Sequence, residues 1–397
     1  MATQNNIIDE VFPETLKILS ELIKFQTVSG TSNVKLIEYC EKKLSKLGAT
    51  SFKTYDKEKQ RVNLFSTILG KQKLNGGGVI LSGHTDVVPA STKEWSFDPF
   101  VATQKNNKVY GRGSTDMKGF IACSLALAPY FASKNLKKPI HFSFTYDEET
   151  ACQGAPIMIE ELKKRNLNCS VCIVGEPTNM KTVQAHKGCY EYSTHFTGLA
   201  GHGSAPDKGV NAVEYASRFI NKLMELREEL KKRKPKNSVF APPYTTLGIG
   251  RIKGGLARNV IADQCVVDWE LRPVVPEDGE FVNKNMDAYV KDILLPKMKK
   301  NYPKADIKKE IIGEIIGFKK EEKSEAINLV CNLTGDNSRE VVSFGTEAGL
   351  FQEIGISTVV CGPGSVEQAH TIDEYVSFDQ LKKCLKMLID LKEQMTH

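Results

Sequence analysis

Short apolar runs that alternate with helix-patterned segments limit most strongly what this chain can fold into. Apolar residues recur at helical spacing over 15–25 and again over 34–47, where Gly48 closes the second pattern. The run Gly78–Ser82 follows, then a helical pattern over 117–133, the run Ile140–Tyr146, a helical pattern over 154–165 and the run Val171–Val174. Strands that take turns with helices in this way predict an α/β layer built on a mainly parallel sheet.

From about His186 the texture changes. A strand is predicted over 190–196, a long helix over 211–230, and two strands over 244–252 and 260–272 around the turn Lys253–Gly255. A helix over 281–298 and a strand over 307–316 complete the β-α-β-β-α-β order of a ferredoxin-like unit. The α/β pattern then resumes with a helix over 324–333, the apolar strand Ser357–Cys361 and a closing amphipathic helix over 378–395. The expected organisation is an α/β domain over 1–185, an inserted α+β domain over 186–316 and the remainder of the first domain over 317–397. A length of 397 residues suits roughly two to three domains of ordinary size.

Composition narrows the class of protein. Apolar residues make up 41% and charged residues 26%, which is enough to pack a core and argues against pervasive disorder. The net charge of +6 is spread along the chain, and clusters such as Lys231–Lys234 and Lys297–Lys300 read as solvated helix ends, so no nucleic-acid partner is expected. No run reaches the ~18 apolar residues of a membrane span, and 1–14 is acidic without a basic-then-apolar leader, so a cytoplasmic, membrane-free protein is expected. Ten cysteines without disulfide-framework spacing agree with reduced thiols. Cys169 and Cys172 form a C-x-x-C pair, but inside an apolar run they read as small buried strand residues.

The candidate functional residues share one placement. His84 and Asp86 follow the first apolar run, Asp147, Glu148 and Glu149 the second, and Glu176 the third; His370 lies in the loop after Cys361, and Asp116 precedes a helix. Ligands of open α/β sheets bind at that edge because several loops converge there. Taken singly, each residue has an ordinary alternative: a hydrogen-bonded loop histidine, a helix N-cap for Asp116, a solvated loop for 147–149. Taken together, so many carboxylates at one edge are costly unless a multivalent cation neutralises them. Two histidines with several carboxylates suit zinc, cobalt or manganese.

The segments Ser82-Gly-His-Thr-Asp86, Gly111-Arg-Gly-Ser-Thr-Asp-Met-Lys-Gly119, Asp147-Glu-Glu149, Gly175-Glu-Pro-Thr178, Gly201-His-Gly-Ser204 and Gln368-Ala-His370 span nearly the whole chain. In that order they resemble the signature of the di-zinc deacylase and metallopeptidase family that includes acetylornithine deacetylase, succinyl-diaminopimelate desuccinylase, aminoacylase and carboxypeptidase G. The resemblance implies hydrolysis of a linear amide at two divalent metal ions, zinc first and cobalt as the alternative. It implies a zinc-hydrolase catalytic domain whose inserted ferredoxin-like domain serves as lid and dimerisation surface. One metal would take His84 and Glu176, the other Glu149 and His370, with Asp116 bridging both. Asp86 would accept a hydrogen bond from His84 and fix its tautomer. Glu148, free of metal, would be the general base that delivers the proton to the leaving amine.

For His202, in the inserted domain, the resemblance implies an oxyanion-stabilising role reached across a homodimer; as a residue it could equally be a surface loop histidine. Asn259 and Arg272 match family positions that hold the substrate's backbone and carboxylate, although Arg272 could instead form an internal ion pair, and Arg258 is a weaker candidate. The stretch Gly345-Thr-Glu-Ala-Gly-Leu-Phe351 resembles the acetylornithine-cleaving branch. There Glu347 could accept hydrogen bonds from a cationic substrate amine, where an arginine would suit a succinyl carboxylate. Related N-acyl amino-acid hydrolases, desuccinylases and dipeptidases are the alternatives. A non-catalytic relative is another, and it has no chemical need for a complete ligand set plus Glu148.

Overall fold

The computed structural model describes residues 2–70, 77–133 and 136–396. The chain forms two compact units: 1–185 with 318–340 and 346–397, and 186–317 with 341–345.

The first unit is built on an eight-stranded mixed sheet. Its order is Thr50–Tyr55, Val62–Ile68, Ile140–Thr145, Val79–His84, Val171–Val174, Ser357–Val360, Val183–His186 and Glu340–Val342. The four strands from Ile140–Thr145 to Ser357–Val360 run parallel. Val62–Ile68 and Thr50–Tyr55 continue the sheet antiparallel. Every residue of Val79–His84, Ile140–Thr145 and Val171–Val174 is buried, which is why these strands are nearly continuous apolar runs. The helix Gly119–Ala132 is apolar all round and eleven of its fourteen residues are buried, with Ala2–Lys24 and Phe378–Gln394 packed against it. Burying each large side chain there contributes about 1.5–3 kcal/mol. Ser377 and Ser324 cap the helices that follow them by accepting the N–H of Gln380 and Ile327.

The second unit has a four-stranded antiparallel sheet in the order Thr246–Gly254, Gln264–Arg272, Cys189–Thr197, Asp306–Ile315. This is the ferredoxin-like arrangement. Burial alternates along Cys189–Thr197 and Gln264–Arg272, so one face is packed and the other open. On the packed face Trp269 stacks on Tyr192 at 4.4 Å and meets the edge of Phe219 at 6.2 Å.

Several elements differ from the sequence expectation. The first helix runs over Ala2–Lys24 and tolerates Pro13, and the predicted strand over 260–272 divides into Val260–Ile261 and Gln264–Arg272. Two strands, Thr50–Tyr55 and Val62–Ile68, lie outside the expected elements; in the second, Asn63, Ser66 and Thr67 interrupt the buried Val62, Leu64, Phe65 and Ile68. The helix expected from Met117 begins instead at Gly119, after a distorted turn over Ser114–Lys118. All ten cysteines are free and buried, Cys169 and Cys172 among them. No helix among the described residues is long and apolar enough to cross a membrane.

Candidate metal centre

The carboxyl ends of the parallel strands bring six ionisable side chains together. His84 ends its strand, Glu176 lies just beyond Val171–Val174, and Glu148 and Glu149 follow Ile140–Thr145. Gly175 makes the Glu176 position possible, since a Cβ there would lie 2.0 Å from the ring of Phe120 in the helix that follows Asp116. Asp116 sits in the Ser114–Lys118 turn with φ −126° and ψ 91°, and Gly113 leads into that turn at φ +81°. His370 has a left-handed backbone, φ +60°, as do Asp147, Ala151 and Cys152 in the loop of Glu148. Such strain persists only where the surroundings enforce it, and it clusters here.

Asp116 faces two ways. Its Oδ1 lies 3.0 Å from His84 Nε2, which is also 3.8 Å from Glu176 Oε1. Its Oδ2 lies 3.5 Å from His370 Nε2, which is 2.9 Å from Glu149 Oε2. Ligand atoms on one ion, at bonds of about 2.0–2.2 Å, stand at comparable mutual distances. Donor atoms of His84, Asp116 and Glu149, and of His84, Glu148 and Glu176, group within 4.8 Å of one another.

The electrostatics point to a cation. Glu176 Oε1 is buried without a hydrogen-bond partner. Burial, followed by the charge of Asp116, pushes both Glu176 and Glu149 above the usual carboxylate range. Burial also pushes Glu148 well up, with Glu149, Asp116 and Asp86 adding to it. Burial alone would lower His84, yet Glu176, Asp116, Asp86 and Glu148 hold its imidazole well above the ordinary value. Hydrogen bonds to Asp116 and Glu149 push His370 up to about 10. Each histidine proton stands where a metal would replace it, because metal binding at such a site releases protons. The donor set therefore fits two divalent ions.

Supporting contacts fix this geometry. The Asp86 carboxylate accepts from Ser29 Oγ at 2.7 Å and from the backbone N–H of Glu148 and Glu149 at 3.0 and 3.2 Å. His84 Nδ1 lies nearer the Asp86 carbonyl, 3.0 Å, than its carboxylate, 3.5 Å, so the backbone shares the orienting role expected of the side chain. Asp147 accepts from Gly30 N and pairs with Arg61. The Cys152 thiol donates to Glu148 Oε1 at 3.4 Å.

Glu347, the expected acceptor for a substrate amine, has partners within the fold. It is buried, and its two oxygens accept from Ser82 Oγ at 2.5 Å and Thr145 Oγ1 at 2.9 Å. A carboxylate so engaged braces the strand ends, and a substrate amine would have to displace those hydroxyls. The remaining candidates belong to the second unit. His202 is exposed, with Nδ1 2.7 Å from Ser204 Oγ. Asn259 and Arg258 are also exposed, and the Asn259 carbonyl accepts from Gly203 N at 2.8 Å. Arg272 donates through Nε and Nη2 to Glu270 Oε2 at 3.1 and 2.7 Å, the ion-pair alternative. Residue types did not reveal Cys152, nor Arg112 and Glu374, which pair with each other at 2.7 Å.

The chain belongs to Peptidase family M20/M25/M40, whose family model matches residues 80–394. Its relatives include the acetylornithine deacetylase of Erwinia tasmaniensis, 33% identical over 97% of this chain and 98% of that protein. The acetylornithine deacetylase of Pectobacterium atrosepticum is 36% identical over 81% of each. The crystal structure of an M20 family metallo-carboxypeptidase from Sulfolobus solfataricus matches with a TM-score of 0.73 over 96% of this chain and 99% of that one; at 18% identity this likeness concerns the fold.

Proposed function

We propose that this chain removes the acetyl group from N2-acetyl-L-ornithine, giving ornithine and acetate in a step toward arginine. The observation that carries the hydrolytic reading is Asp116, whose two oxygens face His84 with Glu176 and His370 with Glu149. The substrate follows from the acetylornithine deacetylases that align over nearly the whole chain. His84 and Glu176 would hold one ion, Glu149 and His370 the other, with Asp116 between; zinc suits this set best and cobalt next. When bound, such ions supply Lewis acidity that polarises the amide carbonyl and acidifies water.

The chain's own residues do the rest. Glu148, raised by burial, accepts the proton of the attacking water and returns it to the departing amine nitrogen. Asp86 holds the Glu148–Glu149 backbone and His84 in one frame. His202, flanked by Gly201 and Gly203, is assigned to the oxyanion of a second copy's site, so the working form is a homodimer joined through the inserted domain. Asn259 and Arg272 are assigned to the substrate's backbone and carboxylate, Arg272 exchanging Glu270 for it. Ten free thiols support a cytoplasmic setting.

A substrate panel tests this reading: N-acetylornithine, succinyl-diaminopimelate, N-acetylmethionine and dipeptides, with metal analysis of the same sample. The expected result is the highest kcat/KM for N-acetylornithine and about two divalent ions per chain. A higher kcat/KM for succinyl-diaminopimelate or a dipeptide would overturn the substrate.

A further inference from the structure

Glu374 lies four residues after His370 and is 1% exposed, yet neither metal position uses it. Its carboxylate collects four donors from the segment that carries Asp116. Oε2 accepts from Arg112 Nη1 at 2.7 Å and from Gly113 N at 3.1 Å. Oε1 accepts from Thr115 N at 2.9 Å and from Asp116 N itself at 3.2 Å. The Ser114–Lys118 turn departs from helical dihedrals at Asp116 and Met117, so its N–H groups cannot all find carbonyls within a regular helix. One carboxylate takes their place, as an anion does in a nest of backbone amides.

The same short segment is stitched to its surroundings on both sides. The Glu374 carbonyl accepts from Gly111 N at 2.9 Å. Tyr375–Ser377 pairs antiparallel with Lys108–Tyr110. Arg112, buried as well, supplies the opposite charge and stacks its guanidinium over Trp95 at 5.0 Å. Glu374 therefore joins the loop of His370 to the turn of Asp116, the two parts whose side chains meet at 3.5 Å.

We propose that Glu374 is a positioning residue of the metal centre, its carboxylate holding the Asp116 turn and the His370 loop in register and so setting the second metal position. This rests on the dinuclear reading above. Glu374→Gln places an NH2 group against donors that need an acceptor. Glu374→Asp keeps the charge but withdraws it from the backbone amides.

The experiment titrates zinc and cobalt into metal-free wild type, Glu374→Gln, Glu374→Asp and Asp373→Asn, with a competing chromophoric chelator and the cobalt absorption spectrum. Melting of each metal-free protein is recorded alongside. Asp373, in the same loop as Glu374, accepts from the backbone N–H and Oγ of Ser96, and its variant serves as the control. Expected is a weaker second ion in both Glu374 variants, by about 10–100-fold, with an altered cobalt spectrum and a kcat loss of similar size at little-changed KM. Asp373→Asn should match wild type. If Glu374→Gln does not fold, Glu374→Asp decides. Two ions at wild-type affinity in the folded Glu374 variants, with only the metal-free melting lowered, would overturn the inference alone. Wild type that binds fewer than two ions would overturn the dinuclear reading and this inference with it.

Discussion

The two sheets of this protein treat charge in opposite ways. On the second unit's sheet, Arg251 pairs with Asp268, His195 with Glu310 and Arg272 with Glu270, and every partner is more than a quarter exposed. At the strand ends of the first unit, His84, Asp86 and Glu176 are each at most 5% exposed and crowd against Asp116 and Glu148. Exposed pairs sit in high dielectric and contribute about 0–1 kcal/mol. Buried charges are costly unless compensated, so a crowd of them with an orphaned oxygen on Glu176 marks where a cation belongs. The difference separates decoration from machinery on residue types that look alike in sequence.

The strongest way to sharpen that contrast is Glu148→Gln. Metal content should stay near two ions per chain while kcat falls about 10²–10⁴-fold; loss of metal would make Glu148 a ligand and not the base.

Burial without crowding gives the next test. His141 is buried on the Ile140–Thr145 strand, taking Thr67 Oγ1 on Nδ1 at 2.9 Å and donating from Nε2 to the Gly77 carbonyl at 3.0 Å. Burial pushes it down to about 4 from the ordinary 6.5. The unfolded chain takes up its proton near pH 6.5 while the folded one does not until near pH 4, so stability is lost as pH falls through that window. The loss is up to about 3 kcal/mol. Urea unfolding of wild type and His141→Gln at pH 7 and 4.5 should show a smaller acid penalty in the variant; equal penalties would refute the assignment.

Asp86→Asn should weaken metal binding or kcat about 10–100-fold, because one acceptor then meets two N–H donors and the hold on His84 loosens. Chelator competition and steady-state rates measure it. Arg251→Ala, on the exposed sheet, should change unfolding free energy by no more than about 1 kcal/mol and leave kcat alone. A large effect there would erase the contrast between the two sheets.

Much of the fold was legible because its strands are apolar runs and its helices carry clean periodicity. Thr50–Tyr55 and Val62–Ile68 were not. Beside the buried Val62, Leu64, Phe65 and Ile68 they carry polar contacts, Asn63 Nδ2 to Thr54 Oγ1 at 2.8 Å and to the Gly154 carbonyl at 2.9 Å, and Ser51 to Ser66 at 2.7 Å. Buried polar residues set among apolar ones break the pattern that hydropathy registers. At the site, strand ends and acidic motifs pointed to His84, Asp116, Glu148, Glu149, Glu176 and His370. The orientation of Glu347 toward Ser82 and Thr145 was hidden, since sequence gives a charge but not the direction it faces. Glu374 was hidden for another reason: three of its four donors are backbone amides, which every residue possesses.

The first unit is assembled from separated stretches of chain, and this sets an order of events during synthesis. His84, Asp116, Glu148, Glu149 and Glu176 emerge early, but Ser357–Val360, which pairs with Val171–Val174, and His370 arrive only after the whole of 186–317 has been made. Until then a nascent chain carries a half-built acidic cluster beside an unpaired strand edge. A chain interrupted before residue 357 thus holds most of the donor set without the strand that closes the sheet around it.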